Sequence, residues 1–249
     1  FTSASQSNAR LALDSFGKAW GWNRGGDIEC WNKLMLLQSK EEAIHLTQFS
    51  GTRLWQNSKS ASKCLGVIKT DNSSKSNSIN IGHEIDDGCS WHPPNIWIGI
   101  GCERNTSHSL ICRSIDESFK ECQIAKEAIA GISTIEIKAN EPALQLLAGT
   151  NKWPIKFYSA ATLSQISVPN PSERVNKEIG SPSVAEASAL MAAGSGGELL
   201  MEKHIFHSTE NEYGAVTIAI AQSVESFAPH QGELHLVGSG PGDIAFLTN

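Results

Sequence analysis

Two helix beginnings follow each other closely in Val168-Pro-Asn-Pro-Ser-Glu173 and Gly180-Ser-Pro-Ser-Val-Ala-Glu-Ala-Ser-Ala-Leu190. In the first, Asn170 can cap a helix that starts at the following proline, where a missing N–H group costs nothing. In the second, Ser183 and Glu186 have the spacing of a capping box. Each beginning leaves unpaired backbone N–H groups and a partial positive charge, which suit a carboxylate or a phosphate. Two well-capped helices with a purely structural role are the alternative.

Strands and helices alternate on both sides of these two beginnings. The alternation favours an α/β fold, with a three-layer α/β/α domain in the second half of the chain. In such sheets, ligands bind beyond the carboxyl ends of the strands. The predicted strands are 96–102, 132–138, 155–158, 198–204 and 216–221, and the predicted helices are 107–123 and 140–147, the second capped by Asn140.

The first half of the chain predicts a smaller α+β middle domain. It ends near Pro93 and Pro94, because a double proline imposes an extended backbone. Apolar spacing predicts helices at 9–22 and 28–37, a helix start at 40–43, and strands at 43–49, 54–55, 65–70 and 79–85.

Composition excludes several classes of protein. The formal net charge is −6 and no basic run occurs, which argues against a nucleic-acid partner. The sequence has no uninterrupted apolar stretch of about 18 residues, so we expect no membrane segment. The first residues lack the pattern of a signal peptide. The six cysteines form no C-x-x-C pair, so we expect reduced thiols in a cytoplasmic protein.

Four motifs occur in order along the chain. They are Gly99-Ile-Gly-Cys-Glu-Arg-Asn-Thr106, Ile135-Glu-Ile-Lys-Ala-Asn-Glu-Pro142 and the two helix beginnings quoted above. Together they resemble the C-terminal domain of the cobalt-precorrin-5A hydrolases of cobalamin biosynthesis, over residues 96–221. The sequence departs from that family at Asn105, where glycine is usual, although asparagine also tolerates a positive φ. The stretch 11–55 resembles, more weakly, the end of the family's N-terminal domain and its middle domain.

Gly238-Ser-Gly-Pro-Gly-Asp243 resembles the opening of the tetrapyrrole methyltransferases, as in a fusion to a precorrin-3B C17-methyltransferase. These resemblances divide the chain into five parts. They are the end of a truncated N-terminal domain (1–20), the middle domain (21–92), the hydrolase-like domain (93–222), a linker (223–231) and the first strand and glycine turn of a truncated methyltransferase domain (232–249).

The family resemblance implies an enzyme that opens the ring A lactone of cobalt-precorrin-5A with water. Acetaldehyde leaves and cobalt-precorrin-5B is formed. The cobalt enters with the substrate, no organic cofactor is needed, and S-adenosylmethionine would serve only the absent methyltransferase domain. Two other functions stay open, a non-catalytic corrinoid-binding module and a part of a bifunctional methyltransferase. A homodimer also stays open.

A corrinoid is a flat apolar ring fringed with acetate and propionate groups, so a protein that binds it needs several anion sites. Lactone opening also needs an activated water and donors for the oxyanion. Glu141 and Glu186 are the candidate bases, and Lys138 is the candidate for oxyanion stabilisation. The predicted substrate-binding residues are Gly101, Cys102, Arg104, Thr106, Asn170, Ser172, Ser181 and Ser183.

These candidates also have ordinary structural explanations. Cys102 can be a small residue that fills a tight turn rather than a nucleophile, and Lys138 can be a solvated strand end. Glu186 can serve only as a capping group.

The tryptophans and histidines favour structural explanations more strongly. Trp91 and Trp97 are better explained as core or domain-contact residues than as platforms for the corrin ring. The spacing of His83, Cys89 and His92 matches no standard zinc site, so we expect no metal site.

Overall fold

The computed structural model describes residues 13–53, 68–69, 77–86, 88–173, 180 and 182–227. Within them the chain forms two five-stranded sheets, one after the other in sequence. The predicted α/β class is confirmed, with strands and helices alternating in the second half. The predicted strand at 54–55, the linker from 228 onward and the methyltransferase-like segment 232–249 lie outside the described residues.

The first sheet is built from the first half of the chain. Its strands lie in the order β1-β5-β4-β2-β3, with β1 antiparallel to β5 and the other pairs parallel. A short helix continues into a 3-10 turn (Gly17–Trp20) that ends at Gly21, which has a φ of 72°. The elements are α1 (Leu13–Phe16), β1 (Asn23–Gly25), α2 (Ile28–Ser39), β2 (Ile44–Gln48), β3 (Ile68–Lys69), β4 (Ser78–Ile81) and β5 (Cys89–His92).

Helix α2 packs on the first sheet through tryptophan and cysteine. The rings of Trp31 and Trp91 meet edge to face, with centroids 5.4 Å apart. Beside them Cys30 and Cys89 form a disulfide. The expectation of reduced thiols is therefore wrong for this pair, because α2 and β5 bring together two cysteines that are 59 residues apart in sequence.

The second sheet is the middle layer of a three-layer unit. Its strands lie in the order β8-β7-β6-β10-β9. β6, β7 and β8 are parallel, whereas β10 runs antiparallel to both of its neighbours. The elements are β6 (Ile96–Cys102), α3 (His108–Glu121), β7 (Ile129–Ile135), α4 (Pro142–Asn151), β8 (Ile155–Tyr158), α5 (Ala160–Leu163), α6 (Val184–Ala193), β9 (Glu198–His207) and β10 (Ala215–Gln222).

The two faces of strand β6 pack against different helices. Ile98 and Ile100 point into the core that the sheet forms with α3 and α4. Trp97 and Gly99 face the opposite side, where α6 lies. A Cβ at Gly99 would be 1.9 Å from the carbonyl oxygen of Ala185, so α6 rests directly on the strand. The alanine-rich sequence of α6 permits this close approach.

The loop between α3 and β7 joins the two units. The N–H of Ala125 donates to the carbonyl of His83 at 2.8 Å. The Asn23 side chain donates to the carbonyl of Glu127 at 2.7 Å. Trp91 and Trp97 are fully buried, one in each core, which agrees with the prediction that they are core residues.

Several predicted boundaries need correction. β7 occupies Ile129–Ile135, so the predicted strand 132–138 begins three residues too late, and Glu136–Lys138 forms a 3-10 turn. Glu141, rather than Asn140, stands at the N-cap of α4, since Pro142 takes the first helical position. The predicted helix start at 40–43 is a turn that leads into β2.

The first of the two helix beginnings also differs from the prediction. Pro171 and Ser172 are not helical, so Asn170 is not the N-cap, and its side chain binds elsewhere. The second is confirmed, since Ser183 caps α6 and Gly194 ends it. In the part of the chain described here, no helix has both the length and the apolar character needed to cross a membrane.

Candidate functional site

The carboxyl ends of β6, β7 and β8 meet at one edge of the second sheet, because the three strands are parallel neighbours. Six of the eleven predicted site residues lie at the end of β6 or in the turns after β6 and β7, namely Gly101, Cys102, Arg104, Thr106, Lys138 and Glu141. The start of α6 reaches the same edge, since a Cβ at Gly101 would lie 3.7 Å from the Cβ of Val184. We call Cys102, Asn105, Lys138 and Glu141 at this edge the strand-end site.

A buried ion pair lies at the centre of the strand-end site. Lys138 Nζ is 3.6 Å from Glu141 Oε2, and both residues are less than a tenth exposed. The other carboxylate oxygen, Oε1, accepts a hydrogen bond of 2.8 Å from the backbone N–H of Asn105. One carboxylate therefore joins the turn after β6 to the turn after β7. Since Lys138 is buried, its explanation as a solvated strand end is wrong.

The opposite charges of this buried pair stabilise each other. A buried charge that loses its partner is strongly unfavourable, so the ammonium and the carboxylate hold each other in place. The charged-group hydrogen bond from Asn105 adds a directional constraint. The result is a fixed anion next to a fixed cation at the end of a parallel sheet, where ligands of such sheets bind.

Cys102 lies next to this pair, and its thiol is protonated at neutral pH. Burial raises the pKa of the thiol to about 11, Lys138 opposes the rise, and Glu141 adds to it. Because the thiolate is the nucleophilic form, a thiol with this pKa is unreactive at pH 7. The raised pKa argues against Cys102 as a nucleophile, and the residue is the last of β6, paired with Val216 of β10, rather than part of the turn.

The turn after β6 is held on its other side by the loop between β9 and β10. Asn105 adopts a φ of 58°, which asparagine tolerates in place of the glycine that the family resemblance implies. Thr106 is buried, and its hydroxyl donates to the carbonyl of Glu103 at 2.9 Å. Ser107 and Tyr213 bind each other twice, through the Ser107 N–H and through the Tyr213 N–H, each at 3.1 Å. Thr106 therefore supports the turn from inside.

Glu186 is fully buried and belongs to a second cluster, between α6 and β9, whose outer members reach the surface. Its Oε1 accepts hydrogen bonds from Asn170 Nδ2 at 3.0 Å and from the N–H of Lys203 at 3.1 Å. Asn170 Nδ2 also donates to Glu202 Oε2 at 2.7 Å, and Lys203 Nζ donates to the carbonyl of Asn170. We call Asn170, Glu186, Glu202 and Lys203 the α6–β9 cluster.

A β-bulge in β9 creates this cluster. Glu202 and Lys203 together oppose the single residue Ala219, because the register shifts between Ile218 and Ile220. The bulge disrupts the ladder locally, and the N–H of Lys203 is directed to the Glu186 carboxylate. Glu186 Oε2 is buried and has no hydrogen-bond partner among the described residues.

The structure thus separates the two predicted bases. It brings Glu141 together with Lys138 and Cys102 at the strand ends. Glu186 has no exposed surface and lies in the α6–β9 cluster, which favours a positioning role. The base assignment itself stays a prediction for both residues.

The remaining predicted binding residues occupy different environments. Arg104 is exposed in the turn after β6. Ser183 Oγ accepts the N–H of Glu186 at 3.4 Å and caps α6. The N–H of Ser172 donates to the carbonyl of Pro182 at 2.7 Å, so the two helix beginnings touch. Ser181 lies outside the described residues.

Sequence reasoning missed the residues that fix the β9–β10 loop. Arg113 donates to both carboxylate oxygens of Glu212, at 3.2 and 2.8 Å. Hydrogen bonds from Arg113 and then Thr209 lower the pKa of Glu212 to about 2. The spacing Thr209-x-x-Glu212 is a capping-type pattern and could have indicated this turn. The bulge at Lys203 has no comparable sequence signal.

Comparison with known proteins gives a consistent set of relatives. Residues 96–221, just over half of the chain, match the family model described as cobalamin synthesis G C-terminus. A protein of Priestia megaterium named cobalt-precorrin-5A hydrolase is 27% identical over 237 residues, which cover 88% of this chain and 60% of that protein. The chain thus spans about 60% of the length of the hydrolase that it matches.

Two further comparisons concern CobE. Protein CobE of Sinorhizobium sp is 29% identical over 132 residues, which cover 52% of this chain and 86% of that protein. A crystal structure of CobE, described as a protein from the cobalamin (vitamin B12) biosynthetic pathway, is 27% identical with a TM-score of 0.45. That match covers 51% of this chain and 93% of the CobE chain.

Proposed function

We propose a function from one premise: this chain belongs to the cobalamin synthesis G C-terminus family. The chain acts in cobalamin biosynthesis as a hydrolase of cobalt-precorrin-5A. It opens the ring A lactone, releases acetaldehyde and forms cobalt-precorrin-5B. The observation that carries this proposal is the match to a cobalt-precorrin-5A hydrolase, which extends over 88% of the chain and is not confined to the family domain.

The strand-end site supplies groups that suit this reaction. Glu141 is the candidate base that takes a proton from water as the water adds to the lactone carbonyl. Lys138, 3.6 Å from that carboxylate, is the candidate that stabilises the oxyanion formed on the carbonyl oxygen. The Asn105 N–H keeps the carboxylate in place through the other oxygen. Cobalt enters as part of the substrate, and the hydrolysis needs no organic cofactor.

A second candidate is a corrinoid-binding module without catalytic activity. One observation favours it, since both oxygens of Glu141 already face partners, Lys138 and the Asn105 N–H. These contacts use one lone pair on each oxygen and hold the two turns together, which a purely structural carboxylate also does. Such a module would bind the macrocycle and leave its lactone intact.

Incubation of the chain with cobalt-precorrin-5A without oxygen, followed by an acetaldehyde assay, separates the two candidates. We expect Glu141→Gln to lower acetaldehyde release at least about 100-fold, as for the loss of a general base. Glu136→Gln is the matched control, because Glu136 is exposed and lies in the 3-10 turn of Lys138. Bound substrate without acetaldehyde would favour the binding module, and full turnover by Glu141→Gln would contradict the base assignment.

A further inference from the structure

A cavity of about 610 Å³ lies at the opposite end of the second sheet from the strand-end site. Its walls are the start of β7, the residues before β8 and the first unit near Gly21 and Asn23. A volume of this size is typical of small-molecule sites. We call it the junction cavity, since it lies where the two units meet. The residues that carry the argument are Lys18, Lys126, Glu127, Lys152, Trp153 and Phe227.

The junction cavity is cationic, although the whole chain has a net charge of −6. Of the residues that the structure describes, three lysines and one glutamate line it. Lys126 is paired with Asp116, at 2.5 Å between Nζ and Oδ1. The ammonium groups of Lys18 and Lys152 have no partner among the described residues. A concave surface with unpaired cations attracts anions and raises their local concentration.

Lys152 is held in an unusual backbone conformation. It stands at the C-cap of α4 with a φ of 56°, a left-handed position where glycine or asparagine is the common residue. Lysine there has a steric cost that glycine would not have. One explanation is that its charge offsets the carboxyl end of the helix dipole. The other is that its side chain serves the cavity, and the two can be separated by experiment.

Part of the lining of the same cavity is apolar. Trp153, Phe227 and two prolines line it. Phe227 packs edge to face on Trp97, with ring centroids 5.1 Å apart, so its ring is fixed from behind. Lys156 Nζ lies 3.9 Å from the Trp97 ring centroid, a cation–π contact behind the same wall. Rigid aromatic rings beside unpaired cations suit a planar ligand with acidic substituents.

We propose that the junction cavity binds the edge of a planar ligand that carries at least two carboxylates. The carboxylates meet Lys18 and Lys152, and the ring lies against Trp153 and Phe227. The carboxylate class follows from the cavity alone. That the natural ligand is a corrinoid rests on the proposed function, and it would be held here at a second site, since the reacting lactone is assigned to the strand-end site at the opposite end of the sheet.

The test uses the whole chain and uroporphyrin I, a stable tetrapyrrole fringed with acetate and propionate groups, followed by fluorescence anisotropy. Lys18→Gln with Lys152→Gly removes both unpaired charges, and glycine suits the left-handed backbone at 152, so this variant should fold well. We expect it to bind uroporphyrin about ten-fold more weakly than the parent. Lys33→Gln with Lys40→Gln, on exposed positions of α2 and its C-cap, removes the same charge elsewhere and should bind like the parent.

Citrate as competitor distinguishes two sources of the carboxylates. Displacement of uroporphyrin by citrate would assign the site to small polycarboxylates, and resistance to citrate would assign it to a macrocycle edge. The proposal is overturned if the parent does not bind uroporphyrin, or if the two double variants bind with equal strength. The acetaldehyde assay is independent of these results. Binding through the two lysines without hydrolysis would contradict only the proposed function, and hydrolysis without their involvement would contradict only this inference.

Discussion

The strand-end site and the α6–β9 cluster each contain a buried glutamate close to the start of a helix, yet they differ in how the carboxylate is satisfied. Glu141 faces a lysine with one oxygen and a backbone N–H with the other. Glu186 collects two hydrogen bonds on Oε1, and its Oε2 has no partner in the described part of the chain. Both residues looked like candidate bases in the sequence.

For these two glutamates the environment, not the residue type, separates a chemical role from a positioning role. Glu141 is part of a pair of opposite charges at a sheet edge where ligands bind. Glu186 ties the loop at Asn170 to the bulged strand and has no exposed surface. A carboxylate that has no exposed surface can still fix the position of a loop.

The largest expected effect is on stability, at the place where α6 packs against β6. Helix α6 carries Glu186, whereas Glu141 lies outside it. In Gly99→Ala the new Cβ would meet the Ala185 carbonyl oxygen at 1.9 Å, and we expect a loss of about 3 kcal/mol in the free energy of unfolding. Gly101→Ala is the matched control on the same face of β6, because its Cβ would make ordinary contacts at 3.7 Å. Urea unfolding measures both. Equal losses of stability in the two variants would contradict the explanation that β6 needs glycine at position 99 because α6 packs so closely there.

The next prediction concerns the pKa and the reactivity of the Cys102 thiol in the strand-end site. A pKa raised from 9.0 to about 11 lowers the thiolate fraction at pH 8 roughly a hundredfold, so we expect alkylation by iodoacetamide to be slowed by that factor. Because the folded state holds this proton more tightly than the unfolded chain, stability is retained below pH 9 and falls as the pH rises toward 11.

Mass spectrometry of the peptide that carries Cys102 gives the rate. Removal of the Lys138 charge in Lys138→Met should raise the pKa of the thiol further, and Glu141→Gln should lower it, since the two charges act in opposite directions. A fast reaction at neutral pH would place Cys102 outside the buried environment described above.

A third prediction concerns Glu186, whose two carboxylate oxygens differ in the hydrogen bonds that they accept. Glu186→Ala removes the acceptor of the Lys203 N–H and one of the two acceptors of the Asn170 amide, and we expect a loss of about 2 kcal/mol in the free energy of unfolding. Glu186→Gln keeps one acceptor oxygen and should lose less than about 1 kcal/mol. Chemical unfolding measures both variants. A glutamine variant as unstable as the alanine variant would show that the negative charge, rather than the acceptor, holds the cluster.

The smallest expected effect lies at the loop that borders the strand-end site. The pKa of Glu212 is lowered to about 2, so its carboxylate contributes stability above its ordinary pKa of 4.5, and this contribution is lost as the pH falls toward 2. Glu212→Gln should therefore be less stable than the parent at pH 7 and similar to it near pH 2. Thermal unfolding over that range checks the prediction, with the exposed Glu210→Gln as control.

The arrangement of the sheet and helices in layers could be predicted from the sequence better than the contacts between individual residues. Alternating isoleucines in 96–102 and the alanines of α6 determine which face of β6 each helix covers, so the three-layer unit could be foreseen. The cap at Ser183 followed from local spacing. By contrast, the bond from Asn105 to Glu141 joins residues 36 apart. Local patterns carry no information about such contacts, nor about the disulfide of Cys30 and Cys89.

The bulge in β9 has a consequence for association between molecules. Among the described residues β9 is the outer strand of the second sheet, and an outer strand offers its free backbone groups to any other extended chain. Its register against β10 is regular from His204 to His207 and over Glu198 and Leu199, but it is interrupted at Glu202 and Lys203 and again near Leu200. We expect these interruptions, with their charged side chains, to keep neighbouring molecules from extending the sheet into fibres at this border.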